Sequence, residues 1–109
     1  MKVSDISKDG NFTLLTPSVS LDKDVDKLFC CDLLSIAMGK APAGSCWVTV
    51  MSNVNTLAVA TLTDVSCIVL AEGVTMDDTL KAKAVSEDVA VFTTELPIYD
   101  AAKLIDSLR

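Results

Sequence analysis

The sequence predicts an α/β fold: a single three-layer domain, residues 1–109, with a mostly parallel sheet and helices on both faces. Three observations carry this. From Cys46 onward, apolar β-branched runs alternate with segments of helical period in the order βαβαβα, and parallel strands in that order need helical crossovers. The strand Val65-Ser66-Cys67-Ile68-Val69-Leu70 is nearly unbroken in its apolar character, as expected when helices cover both sides of a sheet. A chain of 109 residues that is 50% hydrophobic and 22% charged fills one domain and lies outside the disordered range.

The elements follow in order. Val3 and Ile6 begin a short amphipathic turn that Gly10 can terminate, and Phe12 to Leu15 read as a strand. Thr16 to Lys27 carries Pro17 and alternating charges (Asp22, Lys23, Asp24, Asp26, Lys27) and reads as a solvated loop. A calcium loop is disfavoured there, because no glycine sits at the turn position and no glutamate closes it. Leu28 to Cys31 is a strand, and Asp32 is placed to cap a helix whose Leu33, Leu34, Ala37 and Met38 share a face, with Gly39 to end it. Ala41 to Gly44 is a turn. Trp47 to Met51 is a strand, and Ser52 or Asn53 caps a helix with Val54, Leu57, Ala58, Leu62 and Val65 on one face. Glu72-Gly73 turns the chain, Asp77 or Asp78 caps a helix through Leu80 to Val85, and Val89 to Thr93 is the next strand. Pro97 suits the first turn of a last helix with Ile98, Ala101, Ala102, Ile105 and Leu108 inward.

Composition narrows function. Histidine is absent, which removes Ser-His-Asp and Cys-His catalysis, His-ligated metals and a His-based pH switch from this chain. A net charge of −6 argues against a nucleic-acid surface, which needs clustered Lys and Arg. The polar start Met1-Lys2-Val3-Ser4-Asp5 lacks an apolar stretch behind it, and no run is long enough to cross a bilayer, so a cytoplasmic location without membrane contact is expected. The four cysteines, Cys30, Cys31, Cys46 and Cys67, contain no C-x-x-C pair. Cys46 and Cys67 read as small buried hydrophobes. Adjacent Cys30 and Cys31 point to opposite faces of a strand and chelate poorly, the alternative being a redox or iron–sulfur role for one of them.

A ligand of an open parallel sheet sits beyond the strand carboxyl ends. No phosphate loop occurs at that edge, and Glu72, Asp77, Asp78 and Glu95 lie near helix starts, where they complement the helix dipoles and repel phosphate. The residues available to hold a small neutral or cationic ligand are Ser52, Asn53, Asn55, Thr93 and Thr94. No catalytic residue, metal site or cofactor is expected.

Several segments carry a family resemblance. Met1 to Ile6 followed by Phe12-Thr13-Leu14-Leu15, then Leu21-Asp22-Lys23-Asp24-Val25, resembles the amino-terminal layout of DRTGG domains and of the HPr kinase amino-terminal domain. Cys31-Asp32-Leu33-Leu34-Ser35-Ile36-Ala37-Met38, Cys46 to Val50, Asn55 to Ala60 and Thr93 to Pro97 continue the likeness to small free-standing DRTGG proteins across the chain. The defining motif departs: Ser52-Asn53-Val54 stands for Gly-Asp-Arg, and Ala71-Glu72-Gly73 for Thr-Gly-Gly. An arginine and a glycine that an anion-binding loop would need are thereby lost. Such domains are accessory modules in phosphotransacetylases and beside CBS domains in pyrophosphatases. The resemblance implies a non-catalytic regulatory or dimerisation role, with a protein partner in a signalling or hydrogenase-associated system suggested by association. The alternative is a nucleotide or metabolite sensor at the strand carboxyl edge.

The apolar content is generous for a domain this small, and Val59, Ile36 and Leu104 lie off the best inward faces. Clustered, such positions mark an interface, and a two-fold homodimer with the helix after Asn53 at its centre is expected.

Overall fold

The computed structural model describes Met1–Arg109 throughout. Its elements are α1 (Val3–Ser7), β1 (Thr13–Leu14), β2 (Lys27–Cys30), α2 (Leu34–Lys40), β3 (Ser45–Thr49), α3 (Val54–Thr63), β4 (Cys67–Leu70), α4 (Asp78–Ser86), β5 (Val91–Thr93) and α5 (Ile98–Ser107). The sheet order is β1-β5-β4-β3-β2; β2 to β5 are parallel neighbours and β1 runs antiparallel on β5. The predicted α/β sandwich with a mostly parallel sheet is present.

Two cores separate the layers. Alternation along each strand sends Cys46 and Val48, Cys67 and Val69, and Phe92 to one face, where α1 and α5 cover them with Val3, Ile6, Ala101 and Ile105. Trp47, Ile68, Leu70 and Val91 point to the other face, under Ala37 of α2, Leu57 and Ala60 of α3 and Ala84 of α4. Trp47 is wholly buried, and its indole N–H donates to the Cys31 carbonyl at 2.9 Å, so its one polar group is satisfied.

Local chemistry sets the helix ends. Asn53 is the N-cap of α3, its side-chain oxygen accepting from the N–H groups of Asn55 (2.9 Å) and Thr56 (3.1 Å). Asp77 caps α4 by accepting from Leu80 N–H at 2.8 Å. Each such cap is worth about 1 kcal/mol.

Four expectations are corrected. The segment 16–27 is a loop but not a wholly solvated one: Thr16, Val19 and Val25 are buried, and the chain pairs with its own first residues through Val3 N–H to Lys23 O (3.0 Å), Ser4 N–H to Leu21 O (2.9 Å) and Val25 N–H to Met1 O (2.8 Å). Charges between the apolar residues hid a wall of the core. Asp32 does not cap α2, whose N-cap position is Leu33 and which has no side-chain cap; its carboxylate instead accepts from Thr49 Oγ1 (2.7 Å) and Val50 N–H (2.9 Å) beyond β3. On α2 only Ala37 is buried, while Leu33 and Met38 are exposed. On α3 the inward residues are Thr56, Leu57, Val59 and Ala60, and the stripe Val54, Ala58, Leu62 faces solvent. Val59 therefore belongs to its own domain's core and is no interface residue.

The cysteines are free. Cys46 and Cys67 are register partners on β3 and β4, both wholly buried. A hydrogen bond with Cys67, and then burial, pushes the Cys46 thiol well above its ordinary range. Burial, aided by the Asp32 charge, also raises the Cys30 thiol. Both shifts disfavour the thiolate, so neither group is an activated nucleophile.

Candidate functional site

The strand carboxyl edge is organised by where the crossovers leave. The connections after β2, β3 and β4 carry α2, α3 and α4 to one face, whereas the chain after β5 takes α5 to the other. The change of side between β4 and β5 makes a switch point, the place where open α/β sheets form a crevice. Here the two diverging loops, 71–77 and 94–97, are sewn together. Glu72 N–H donates to Leu96 O at 2.9 Å and Gly73 N–H to Thr94 O at 2.8 Å.

This closure requires unusual backbone. Glu72 (φ 59°) and Gly73 (φ 73°) are consecutive left-handed residues, a conformation that turns successive N–H groups the same way. Such a pair could cradle an anion, but both donors are spent on the opposite loop. Glycine at 73 also admits Glu95: a Cβ there would lie 2.7 Å from Glu95 Oε2.

The residues expected to bind a ligand gather around this loop, and most are engaged in holding it. Ser52 Oγ donates to Thr75 O at 2.7 Å and Thr93 Oγ1 to Val74 O at 2.6 Å, gripping consecutive carbonyls from two sides. Thr94, buried, accepts from Leu96 N–H through Oγ1 at 3.2 Å. Asn53 is occupied as a cap, and exposed Asn55 makes no side-chain hydrogen bond. The five do not converge on one space. Ser52 and Asn53 border a hollow of about 340 Å³ between the starts of α3 and α4, with Asp77, Thr79 and Lys83. Thr93 and Thr94 border another of about 260 Å³ with Gly10, Asn11 and Glu95.

Two features escaped the sequence reading. Thr56 is buried with Oγ1 unpartnered beside a cavity of about 10 Å³ under the start of α3, enough for about one water. Its signal was misleading, since a threonine one turn into a helix reads as solvent-facing. The second is a groove of about 470 Å³ between β2 and α5, bordered by Lys27, Tyr99, Lys103, Asp106 and Arg109. Its residues come from both ends of the chain, so only the tertiary fold assembles them. Arg109 is paired with Asp106 at 3.0 Å, and Lys103 lies 6.0 Å from the Tyr99 ring centre. No cluster of three or more metal-ligating side chains stands together, and no helix is long and apolar enough to cross a membrane.

By sequence the chain matches no protein-family model and no curated protein. By structure it resembles the CBS and DRTGG domains of the regulatory region of Clostridium perfringens pyrophosphatase, solved in complex with the activator diadenosine tetraphosphate. The TM-score is 0.72 at 14% identity, and the match covers 97% of this chain. This chain spans 46% of that one, less than half its length. The fold is thus DRTGG-like, in agreement with the resemblance carried by the sequence segments.

Proposed function

We propose that this chain is a non-catalytic regulatory module. The observation that supports this most is the structural likeness of nearly the whole chain to the regulatory region of an enzyme. The chemistry of the strand edge agrees. Ser52, Thr93 and Thr94 are bonded to backbone, and the N–H groups of Glu72 and Gly73 are bound to carbonyls. An acid, a base and a nucleophile converging on one open space would be needed for the usual group-transfer chemistry. Here the polar groups fix a loop. The test is an assay of phosphoester, phosphoanhydride and acyl-ester hydrolysis by the purified chain. Background rates are expected. Turnover abolished singly by Asp77→Asn, Asp78→Asn or Cys31→Ser, with folding intact, would overturn the reading.

A second reading is a sensor of small molecules, favoured by the nucleotide activator bound to the similar regulatory region. In this chain the hollow between α3 and α4 falls in the size range of small-molecule sites. A ligand bound only to the native state stabilises by about 2.7 kcal/mol at a hundredfold excess over Kd. Thermal melting with adenine and guanine nucleotides, diadenosine tetraphosphate included, reads this directly. The sensor reading expects a rise that Thr79→Ala or Lys83→Ala diminishes; no rise with any of them leaves an interaction module.

A further inference from the structure

We propose that the open edge of the sheet at β2, with the basic flank of α5 beneath it, takes up an extended acidic segment of another protein as a further strand. This goes beyond the regulatory reading and stands whether or not a small molecule binds.

The two edges of the sheet differ. β1 is two residues long, whereas β2 has four and lies outermost beside β3. In a parallel ladder, alternate residues of a strand turn both backbone groups toward the same neighbour. Cys31 N–H donates to Val48 O (3.4 Å), so Leu28 and Cys30, of opposite parity, point theirs away from β3. No loop, cap or turn hydrogen bond reaches those groups. The chain leading into β2 is paired with the protein's own first residues, through Val25 N–H to Met1 O (2.8 Å) and a bridge between Lys2 and Asp24. That pairing stops before Lys27. An edge that offers N–H and C=O groups in alternation is a template for another backbone, and a free anion would meet the carbonyls as well as the donors.

The helix beneath extends past the last strand. α5 packs on β2 and β3 and forms, with β2, the groove of about 470 Å³. Its Tyr99, Ala102, Lys103 and Asp106 border that groove at spacings of three and four, which makes them one flank of the helix. An added strand lies about 4.8 Å beyond its neighbour, which here is over this flank. Half-buried Leu28 and Ala102 give a small apolar side chain a place to rest, and Tyr99, 71% exposed, gives it a ring to lie against.

Charge selects the occupant. The chain carries −6 overall, yet this groove is bordered by the cations Lys27, Lys103 and Arg109 against the single carboxylate of Asp106. Asp106 is already paired with Arg109 at 3.0 Å, while Lys27 and Lys103 have no carboxylate partner. Charge on an edge strand is how sheets avoid joining copy to copy. Two β2 edges set side by side would crowd these cations against their own duplicates, so a second copy of this chain is the wrong occupant. An acidic strand is attracted by the same groups that repel a basic one.

Fluorescence anisotropy of the full chain with short blocked peptides that alternate glutamate with valine tests this, beside the same peptides with lysine for glutamate. The glutamate peptide is expected to bind and the lysine peptide not to. Lys27→Glu and Lys103→Glu should each weaken the complex by roughly tenfold. The backbone separates strand addition from charge attraction alone. N-methylating one alternate set of peptide amides should abolish binding, and methylating the other set should leave it intact. Cys30→Pro removes an outward N–H without touching the β2–β3 ladder, so it should abolish binding with the circular dichroism unchanged. In amide NMR spectra of the chain, Leu28 and Cys30 should shift most on titration with the glutamate peptide. No binding of that peptide, equal binding of both peptides, or binding that survives methylation of either set would overturn the proposal. So would NMR shifts gathered away from β2, or undiminished binding by folded Cys30→Pro. Should that variant unfold, the methylated peptides and the NMR shifts still decide.

Discussion

Helices α3 and α4 hold equivalent places on the same side of the sheet, and their difference lies on one side only. Each crosses between neighbouring parallel strands, each is started by a side-chain cap, and each presses small or aliphatic residues onto the sheet. On α4 the outer face is conventional, with Lys83 and Glu87 paired at 3.2 Å one turn apart. Such an exposed pair contributes only about 0.3–0.5 kcal/mol; its main effect is to keep that face wet. On α3 the outer face is Val54, Ala58 and Leu62. The fold constrains the inner face of a crossover helix tightly and the outer face hardly at all. What appears on the outer face is therefore where a use beyond folding can be read.

Substitutions can break or sharpen this contrast. The largest effect is expected at the inner faces, which should behave alike. Leu57→Ala removes a buried side chain and should cost about 2–5 kcal/mol in urea unfolding. Ala84→Leu, which overpacks the wholly buried position on α4, should cost about 1–3 kcal/mol. Caps come next. Asn53→Ala gives up two N–H partners and Asp77→Ala one, so both should fall within about 0.5–2 kcal/mol with Asn53→Ala the larger. Equal losses would show that the second bond of Asn53 adds nothing. Thr56→Val should be the gentlest: replacing an unpartnered buried hydroxyl by a methyl group is expected to be neutral or stabilising by up to about 1 kcal/mol. A clear loss there would mean that the hydroxyl holds a buried water.

The sequence made some of this plain and concealed the rest for physical reasons. The crossovers after Cys46, the caps at Asn53 and Asp77 and the turn at Gly73 were legible because each has a local signature. The facing of α3 was not, because Val54, Leu57, Ala58, Val59, Ala60 and Leu62 surround the helix and no period chooses between its sides. Of the residues taken as inward, Leu57 and Val65 are buried, and Val54, Ala58 and Leu62 are in solvent. Asp32 was misplaced because a carboxylate before a helix looks like a cap unless the hydroxyl of Thr49, on the neighbouring strand, is known to compete for it. The candidate residues lie near the strand carboxyl ends, but the hold of Ser52, Thr93 and Thr94 on the loop 71–76 depends on which loops diverge there. Ile36 is exposed as expected, and Leu104 is half-buried against the core beneath α5.

The expectation that two copies of this chain meet through the helix after Asn53, read from its uncharged outer face, is tested most directly by melting the wild type and Leu62→Glu over a hundredfold range of protein concentration. Association that stabilises the native state makes Tm depend on concentration. The wild type should melt higher as it is concentrated, while Leu62→Glu should melt at one temperature throughout and match the wild type at the lowest concentration. A wild-type Tm indifferent to concentration, or a Leu62→Glu Tm that climbs just as steeply, would contradict the claim.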